Sequence, residues 1–408
     1  MKRYMELLRI RQAWVLLLSS YPARTAYSMV NLLIFFKTQQ ETHSIATAGL
    51  AIGVNGLAGA ATAGIRGALS DRFGMKWPLR FLVPSYTTML IVINFVHDRN
   101  SILVFSFILG ISAPPINLSV RPLWKDAVPK ELLRTAYAFD TSFMSSTNII
   151  GPVIATALAL SSHPASGFFF ASLCMAIGGG SLTIAKITRS WKPERKPGQK
   201  VPIFKSKAMQ LLALEGAFIG LAFGIFDVAI PSFTTLEGVA HRTSWILGAM
   251  GLGNIIGGLV GGLVSKKISP LRALQKTYLF WFISSLPIAF TYPDWSLLLA
   301  ALILGGVGGS ISVFYWEVTE AVRPRGHASG ALGWLWTIEG SVAAGGSALG
   351  GWISEQYSPR IAFVITSIGL FMGLVIIVSG TKILKDADHL PTEANDLAAI
   401  SDTTDSTQ

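Results

Sequence analysis

The stretch GALSDRFGMKWPLR, residues 67–80, carries an apolar segment into a short charged turn and back towards apolar sequence. We expect Gly67 to lie where a helix end contacts a neighbouring helix, because glycine allows close approach. Gly74 stands where a tight or left-handed turn favours a residue without a Cβ atom. Basic residues such as Lys76 collect where helices leave a membrane. The stretch therefore predicts a membrane exit, a tight loop and a second membrane helix.

The composition indicates a membrane protein. The chain has 408 residues, of which 51% are hydrophobic and 13% are charged, and it contains 40 glycines. This is too apolar for an ordinary soluble protein, and about 20 residues cross the hydrocarbon core as a helix. We predict an all-α polytopic membrane protein with twelve transmembrane helices. The predicted spans lie near residues 12–36, 45–69, 80–97, 101–121, 135–160, 167–187, 208–233, 243–265, 274–291, 296–318, 329–353 and 360–380.

The formal net charge of +11 follows membrane topology and does not indicate a nucleic-acid partner. Lys and Arg concentrate at the amino terminus, in alternate loops and between the sixth and seventh spans. The positive-inside rule then places both termini in the cytoplasm.

The single cysteine, Cys174, is expected to be a packing residue, and the lack of a long external loop suits a cell (inner) membrane. The first apolar stretch is interpreted as a retained membrane helix.

Glycine spacing suggests an internal duplication. Gly67 and Gly261 are 194 residues apart, and Gly151 and Gly345 show the same separation. A duplicated unit predicts two pseudo-symmetric six-helix bundles with a substrate site between them. We predict bundles at 1–187 and 208–384, a cytoplasmic linker at 188–207 and a disordered cytoplasmic tail at 385–408.

The charged turn resembles the loop between the second and third helices of the major facilitator superfamily of transporters. Met75 departs from that pattern, since a basic residue is usual there. The resemblance implies two rocking six-helix bundles and a cytoplasmic latch, in which Asp71 caps a facing helix or pairs with Arg134. Arg72 and Lys76 would meet Asp126 or Glu131. The residues that match the pattern are Gly67, Leu69, Asp71, Arg72, Gly74 and Lys76.

The fifth span, SSTNIIGPVIATAL at residues 145–158, is similar to a glycine-proline motif of proton-coupled drug exporters in the same superfamily. Gly151 permits close helix contact, and Pro152 bends the helix, which makes the pair a candidate hinge. The resemblance favours efflux, whereas a kinked packing helix is the structural alternative. In the fourth span Ser106 stands where many members carry an arginine, so no proton relay is inferred there.

Ionisable residues inside predicted spans are candidate sites, because a charge at the membrane centre costs at least about 2.5–3.5 kcal/mol. Arg24 would bind an anionic group or tune a nearby acid, and a structural ion pair is the alternative. For Asp140, Asp227 and Glu339 we expect protonation coupled to transport, with Asp140 and Glu339 favoured. Glu215 lies nearer the cytoplasmic end of the seventh span. The resemblance implies that helices 1, 5, 7 and 11 line the central cavity.

Large aromatic residues accompany Glu339. Trp336 precedes it by three residues and so shares its helix face. Trp336 is therefore the best candidate for stacking on a lipophilic or cationic substrate, with lipid-facing packing as the alternative. The other aromatic residues of this group are Tyr315, Trp316 and Trp334.

The sequence lacks a phosphate-binding glycine loop with its Lys-Ser/Thr pair, an HExxH motif and Cys-pair metal spacing. We therefore expect no enzyme activity, no catalytic residues, no cofactor and no metal. The expected function is export of a small-molecule substrate in exchange for protons, by a monomer in the lipid bilayer. Proton-coupled or facilitated uptake of a sugar or carboxylate is the alternative. A non-transporting membrane sensor or a scramblase is a further possibility.

Overall fold

The computed structural model describes residues 2–191, 206–264, 268–323 and 328–385. It includes their side chains except at residues 2–4, 68, 71, 118, 121, 130, 131, 134, 138 and 328–332. Most of the predicted linker and nearly all of the predicted tail lie outside these residues. The described helices are Lys2–Leu8 (α1), Arg11–Thr42 (α2), Ile45–Phe73 (α3), Lys76–Val92 (α4), Arg99–Ser112 (α5), Ile116–Ala127 (α6), Lys130–Ala159 (α7), Ser166–Ile184 (α8), Lys186–Ser190 (α9), Lys207–Leu236 (α10), Thr243–Leu263 (α11), Pro270–Ser285 (α12), Trp295–Val322 (α13), Ala328–Gln356 (α14) and Pro359–Ser379 (α15).

Twelve helical passes can be traced in the described part of the chain, with α5 and α6 together forming the fourth. By length and composition alone, eight of the described helices are able to cross a membrane. The others are shorter, interrupted or more polar. The first pass, α2, illustrates the last case, because it carries Arg24, Lys37 and Glu41 among its apolar residues.

The fourth pass is broken, which corrects the prediction of one continuous span. Helix α5 ends at Ser112, and α6 begins at Ile116 after the pair Pro114 and Pro115. Proline has no N–H to donate, so the helical hydrogen-bond ladder stops there. The Arg66 guanidinium of α3 supplies donors at this break. Its Nη1 atom donates to the Gly110 carbonyl oxygen at 3.2 Å and to the Ala113 carbonyl oxygen at 2.5 Å.

The first six and the last six passes pack with the same pattern of neighbours. In the first half α2 contacts α7 and α8, α3 contacts α5, and α4 contacts α8. In the second half α10 contacts α14 and α15, α11 contacts α13, and α12 contacts α15. Each half has its own hydrophobic core. The fold is therefore two similar six-helix bundles.

Glycines at four-residue spacing bring helix backbones together in the second half. Gly253 and Gly257 of α11 lie against the backbone of α13, where added Cβ atoms would overlap main-chain atoms. Gly220 and Gly224 of α10 lie in the same way against α14. Such small-residue seams allow close packing where lipid removes the hydrophobic drive between helices.

The two halves meet mainly through α3 with α14 and through α7 with α11. We call the face that carries Lys2 and Lys385 the terminal face, and the opposite one the far face. The α3–α14 contacts lie at the far face, where a Cβ on Gly49 would stand 2.8 Å from the Gly351 Cα atom. There the Glu355 Oε2 atom accepts hydrogen bonds from Ser44 Oγ at 2.8 Å and from the Ala46 N–H at 2.7 Å. The bundle is closed at the far face.

At the terminal face the same two helices separate. Among the described residues, none has an atom within 4 Å of an added Cβ on Gly64 or Gly67 of α3, or on Gly333 or Gly340 of α14. The expectation that Gly67 contacts a neighbouring helix is therefore wrong for this conformation. The close glycine contacts of α3 lie at its other end, because the halves diverge towards the terminal face.

Gly74 fulfils its predicted role as a turn residue, with φ +77° between α3 and α4. A side chain at this φ would be strained.

The 194-residue glycine spacing is not matched by packing. Gly151 lies against Ser28, whereas Gly345 has open space and its neighbour Gly346 contacts α10 instead. The equivalent contact in the second half is therefore one residue later than predicted.

Candidate functional site

The first half contains a buried ion pair at its centre. Arg24 of α2 donates from Nη1 to Asp140 Oδ1 at 2.7 Å and from Nη2 to Asp140 Oδ2 at 3.1 Å. Its Nε atom donates to Asn117 Oδ1 at 2.9 Å. Both charged side chains are almost fully buried. The pair is bidentate and satisfied, so in this conformation Arg24 is not an open site for an anion.

Three helices place these groups together. Gly151 lets α7 approach α2 closely at Ser28, which lies one helical turn beyond Arg24. Asn117 stands in the first turn of α6, directly after the proline break. On the same helices, the Tyr21 hydroxyl and Ser146 Oγ are 3.1 Å apart, at hydrogen-bond distance. The ion pair is thus part of the packing of the first half.

The second half holds a cavity of about 350 Å³. Two carboxyl groups line it, Glu215 of α10 and Glu339 of α14. None of the described residues in its wall is a lysine, an arginine or a histidine. The remaining wall is rich in aromatic residues, namely Phe223, Tyr278, Trp281, Tyr315, Trp316 and Trp336.

The glycine seam between α10 and α14 positions both carboxyl groups. Gly220 leaves room for the Glu339 backbone, and a Cβ on Gly216 would lie 3.9 Å from the Glu339 Cβ atom. Glu215 precedes Gly216 and is buried. The Tyr278 hydroxyl donates a hydrogen bond to Glu215 Oε1. Glu339 is only partly buried, so its carboxyl group is the more accessible of the two.

Trp336 is one of the residues that line this cavity. The Trp316 and Trp336 rings are 5.8 Å apart in an edge-to-face arrangement, and Tyr278 and Trp281 pair in the same way at 5.7 Å. The Trp281 Nε1 atom donates to the Leu304 carbonyl oxygen at 3.0 Å, which fixes its ring. Trp334 is about half exposed and is not part of the cavity wall.

Asp227 lies in a different cavity, of about 370 Å³, between the two halves. Its side chain is exposed to this space. Pro152 of the predicted hinge also lines it. Met250 and Asn254 belong to the walls of both cavities, which are therefore adjacent. The other polar residues here are Ser28, Asn31, Ser145 and Asn148.

The charged turn between α3 and α4 is described only in part. The Asp71, Glu131 and Arg134 side chains lie outside the described residues, so their predicted pairing stays a prediction. The Arg72 guanidinium lies 5.3 Å from the centre of the Phe73 ring, and the Lys76 ammonium lies 5.5 Å from the Trp77 ring. These contacts suit basic residues at a membrane interface.

Several residues of these sites were not predicted. Arg66 lies in the predicted second span but was not considered as a site residue, and it donates to main-chain oxygens at the end of α5. Tyr278 and Trp281 carry no distinguishing sequence signal, because aromatic residues occur in most of the predicted spans. Asn117 follows the proline pair, which marks the break but not the partner. Among the described residues, no group of three His, Cys, Asp or Glu side chains is arranged to hold a metal ion.

This geometry defines a class of protein: a multi-pass membrane protein of two bundles, with a cavity that opens to one face. A profile of the Major Facilitator Superfamily matches residues 16–237 and 212–398, and the chain belongs to this family. No curated protein matches the chain in sequence.

Three solved structures illustrate the similarity of fold. A variant of the nucleoside transporter NupG has a TM-score of 0.75 at 14% identity, over 90% of this chain and 99% of that one. A bacterial homologue of the human lysosomal transporter Spinster, inward-facing and occupied, scores 0.69 at 15% identity, over 94% and 98%. A bacterial homologue of the iron transporter ferroportin, inward-facing, scores 0.73 at 11% identity, over 91% and 98%.

Proposed function

We propose that this transporter exports a small organic solute in exchange for protons by alternating access. The observation that carries the proposal is the cavity of the second half, with two carboxyl groups, in a bundle that is closed at the far face and open at the terminal face. Family membership supports transport, and the acidic cavity supports proton coupling.

The distribution of basic residues supports a cytoplasmic terminal face. The conformation described above is then inward-open, in a monomer in the cell (inner) membrane. Residues 1–187 and 208–384 would form the two moving units, joined by 188–207, with 385–408 as a cytoplasmic tail. A solute would enter from the cytoplasm and leave after the halves rock.

The contacts of the acidic residues indicate which of them is the best candidate to carry the coupling proton. Asp140 is held by Arg24 in a buried ion pair, so it is the less accessible candidate in this conformation. Glu215 and Glu339 share one cavity without a basic residue in its described wall. Glu339 is the more accessible of the two, whereas Glu215 is buried and accepts a hydrogen bond from the Tyr278 hydroxyl. Glu339 is therefore the first candidate for the coupling proton, and Asp227 is the second.

The glycines of the open face suggest how the bundle closes there. Gly64 and Gly67 of α3 face open space, as do Gly333 and Gly340 of α14. When the halves rock, these ends of α3 and α14 would come into contact. The contact would resemble the present one between Gly49 and Gly351 at the far face. The Asp71 and Arg72 turn would then act as the cytoplasmic latch that the resemblance implies.

The test is a measurement of lumenal pH in proteoliposomes that contain a pH-sensitive dye. Pools of lipophilic cations, sugars and carboxylates are added outside. Exchange moves protons out as solute enters, so the lumen becomes more alkaline in wild type, and this change is lost in Glu339→Gln. Glu317→Gln is the matched control, since Glu317 lies outside the cavity wall. Solute entry without any pH change would overturn proton coupling.

The alternative, uptake of a polar solute, is favoured by the amide groups of Asn31, Asn148 and Asn254 around the cavity between the halves. Such groups hydrogen-bond hydroxyl-rich solutes. The same experiment separates the two functions by sign. Proton-coupled uptake would make the lumen more acidic when solute enters, whereas exchange makes it more alkaline.

A further inference from the structure

We propose that the cavity of the second half is a binding site for a monovalent organic cation, namely an amine or quaternary ammonium group that carries a small apolar or aromatic substituent. This inference rests on the proposed function only for the step of transport. Binding itself is a separate property that can be measured without flux.

The charges of the cavity support a cationic ligand. Glu215 and Glu339 contribute two carboxyl groups, and the described wall offers no lysine, arginine or histidine to compensate them. The buried Arg24 side chain of the other half is fully occupied by Asp140 and Asn117. The carboxyl groups of the wall would therefore repel an anionic ligand, whereas a cationic ligand would supply the positive charge that the described wall lacks.

The aromatic wall supports the same ligand. Ring faces attract cations that have lost much of their water, and quaternary ammonium groups are bound in this way by aromatic cages. Trp336 is on the same helix as Glu339, and its ring meets that of Trp316 edge to face. A volume of about 350 Å³ is at the lower end for ligand pockets, which favours a small cation.

The two carboxyl groups have different roles in this site. Glu215 is buried and already accepts the hydrogen bond from the Tyr278 hydroxyl. Among the described residues, no side-chain or backbone donor is hydrogen-bonded to Glu339. Glu339 is therefore the primary partner of the cation, and Glu215 is held in the cavity wall by the Tyr278 hydroxyl. A proton and the cation would compete for Glu339, which provides a physical basis for exchange.

The test is calorimetric titration of the purified full-length protein with benzyltrimethylammonium, benzoate and benzyl alcohol, which share a ring and differ in charge. We expect the cation to bind and the anion and the alcohol to bind at least about tenfold more weakly, the ratio that 1.4 kcal/mol gives. Glu339→Gln removes the charge and keeps the shape, and we expect it to weaken cation binding by about tenfold or more. Trp336→Leu is expected to weaken it less.

Two matched controls keep the test specific. Trp334→Leu changes a tryptophan outside the cavity wall, and Glu317→Gln removes a carboxylate that also lies outside it. Both are expected to bind the cation as wild type does, and gel filtration with thermal unfolding checks that each variant is folded. Equal binding of benzoate, or cation binding unchanged in Glu339→Gln, would overturn the proposal. Cation binding without any flux would instead overturn the proposed transport function.

Discussion

At the scale of single residues, the ionisable side chains of the two bundle interiors are arranged differently in the two halves. Arg24 and Asp140 neutralise each other in the first half, with Asn117 as a third partner. Glu215 and Glu339 line one cavity of the second half, and its described wall contains no lysine, arginine or histidine. The first arrangement stabilises a bundle, whereas the second is suited to bind a proton or a cation.

The Arg24–Asp140 pair leads to a stability prediction. Asp140→Asn leaves a buried guanidinium without its countercharge, and removal of one partner from a buried pair typically costs about 3–5 kcal/mol. We expect a clear drop in the thermal unfolding temperature of the detergent-solubilised protein. The double variant Arg24→Met with Asp140→Leu removes both charges and should recover much of the loss. Equal destabilisation of the single and the double variant would contradict this account.

The sequence identifies these residues better than it identifies their partners. A charge inside an apolar span is visible, so Arg24, Asp140 and Glu339 are found without a structure. The pairing of Arg24 with Asp140 depends on how closely two helices approach, which spacing along the chain does not determine. The partners of Arg66 could not be predicted for the same reason, because they are main-chain oxygens at the end of α5.

At the scale of helices, glycine seams determine where the functional side chains lie. Gly220 of α10 touches the backbone of α14 at Glu339, so this contact positions the carboxyl group in the cavity. The repeated four-residue spacing of Gly216, Gly220 and Gly224 is readable in the sequence and predicts such a seam. It does not reveal which helix fills it.

A matched pair of alanine substitutions tests this seam. An added Cβ on Gly220 would overlap the Glu339 backbone, so Gly220→Ala must separate α10 from α14 and should lower the unfolding temperature. Gly180→Ala in α8 is the control, because nothing lies within 4 Å of its added Cβ. The control should be neutral or stabilising, since alanine favours a helix by about 1 kcal/mol over glycine. Similar unfolding temperatures for both variants would rule out a tight seam at Gly220.

At the scale of the whole molecule, the bundle is closed at one face and open at the other. The membrane class follows from hydropathy, whereas the glycine spacing that suggested the duplicated architecture is not matched by the packing. The conformation cannot be predicted from the sequence, because the same sequence must support every state of a transport cycle. Gly67 shows the consequence, since it was expected in a helix contact but lies at the open end of α3.

The closed far face gives a prediction about the balance between states. A Cβ on Gly351 would stand 2.9 Å from the Gly49 Cα atom, so Gly351→Leu should hold the far face open. Gly64→Leu, at the open end of α3, should instead hinder closure of the terminal face. The test uses Ser312→Cys in the cavity wall, in a Cys174→Ser background. The rate at which an impermeant maleimide added at the far face labels this cysteine reports how far the cavity is open to that face. We expect faster labelling with Gly351→Leu and slower labelling with Gly64→Leu than in their common background, and the reverse order would refute this mechanism.

The central claim is that the two halves rock about the cavity, so that one face opens as the other closes. Spin-label distances in lipid nanodiscs test it most directly. One pair, Leu69→Cys with Gly333→Cys, reports the terminal face, and a second pair, Ser162→Cys with Tyr357→Cys, reports the far face. Changing pH or adding benzyltrimethylammonium should lengthen the spin-label distances at one face and shorten them at the other. Distances that stay fixed at both faces, or that change together, would contradict the account.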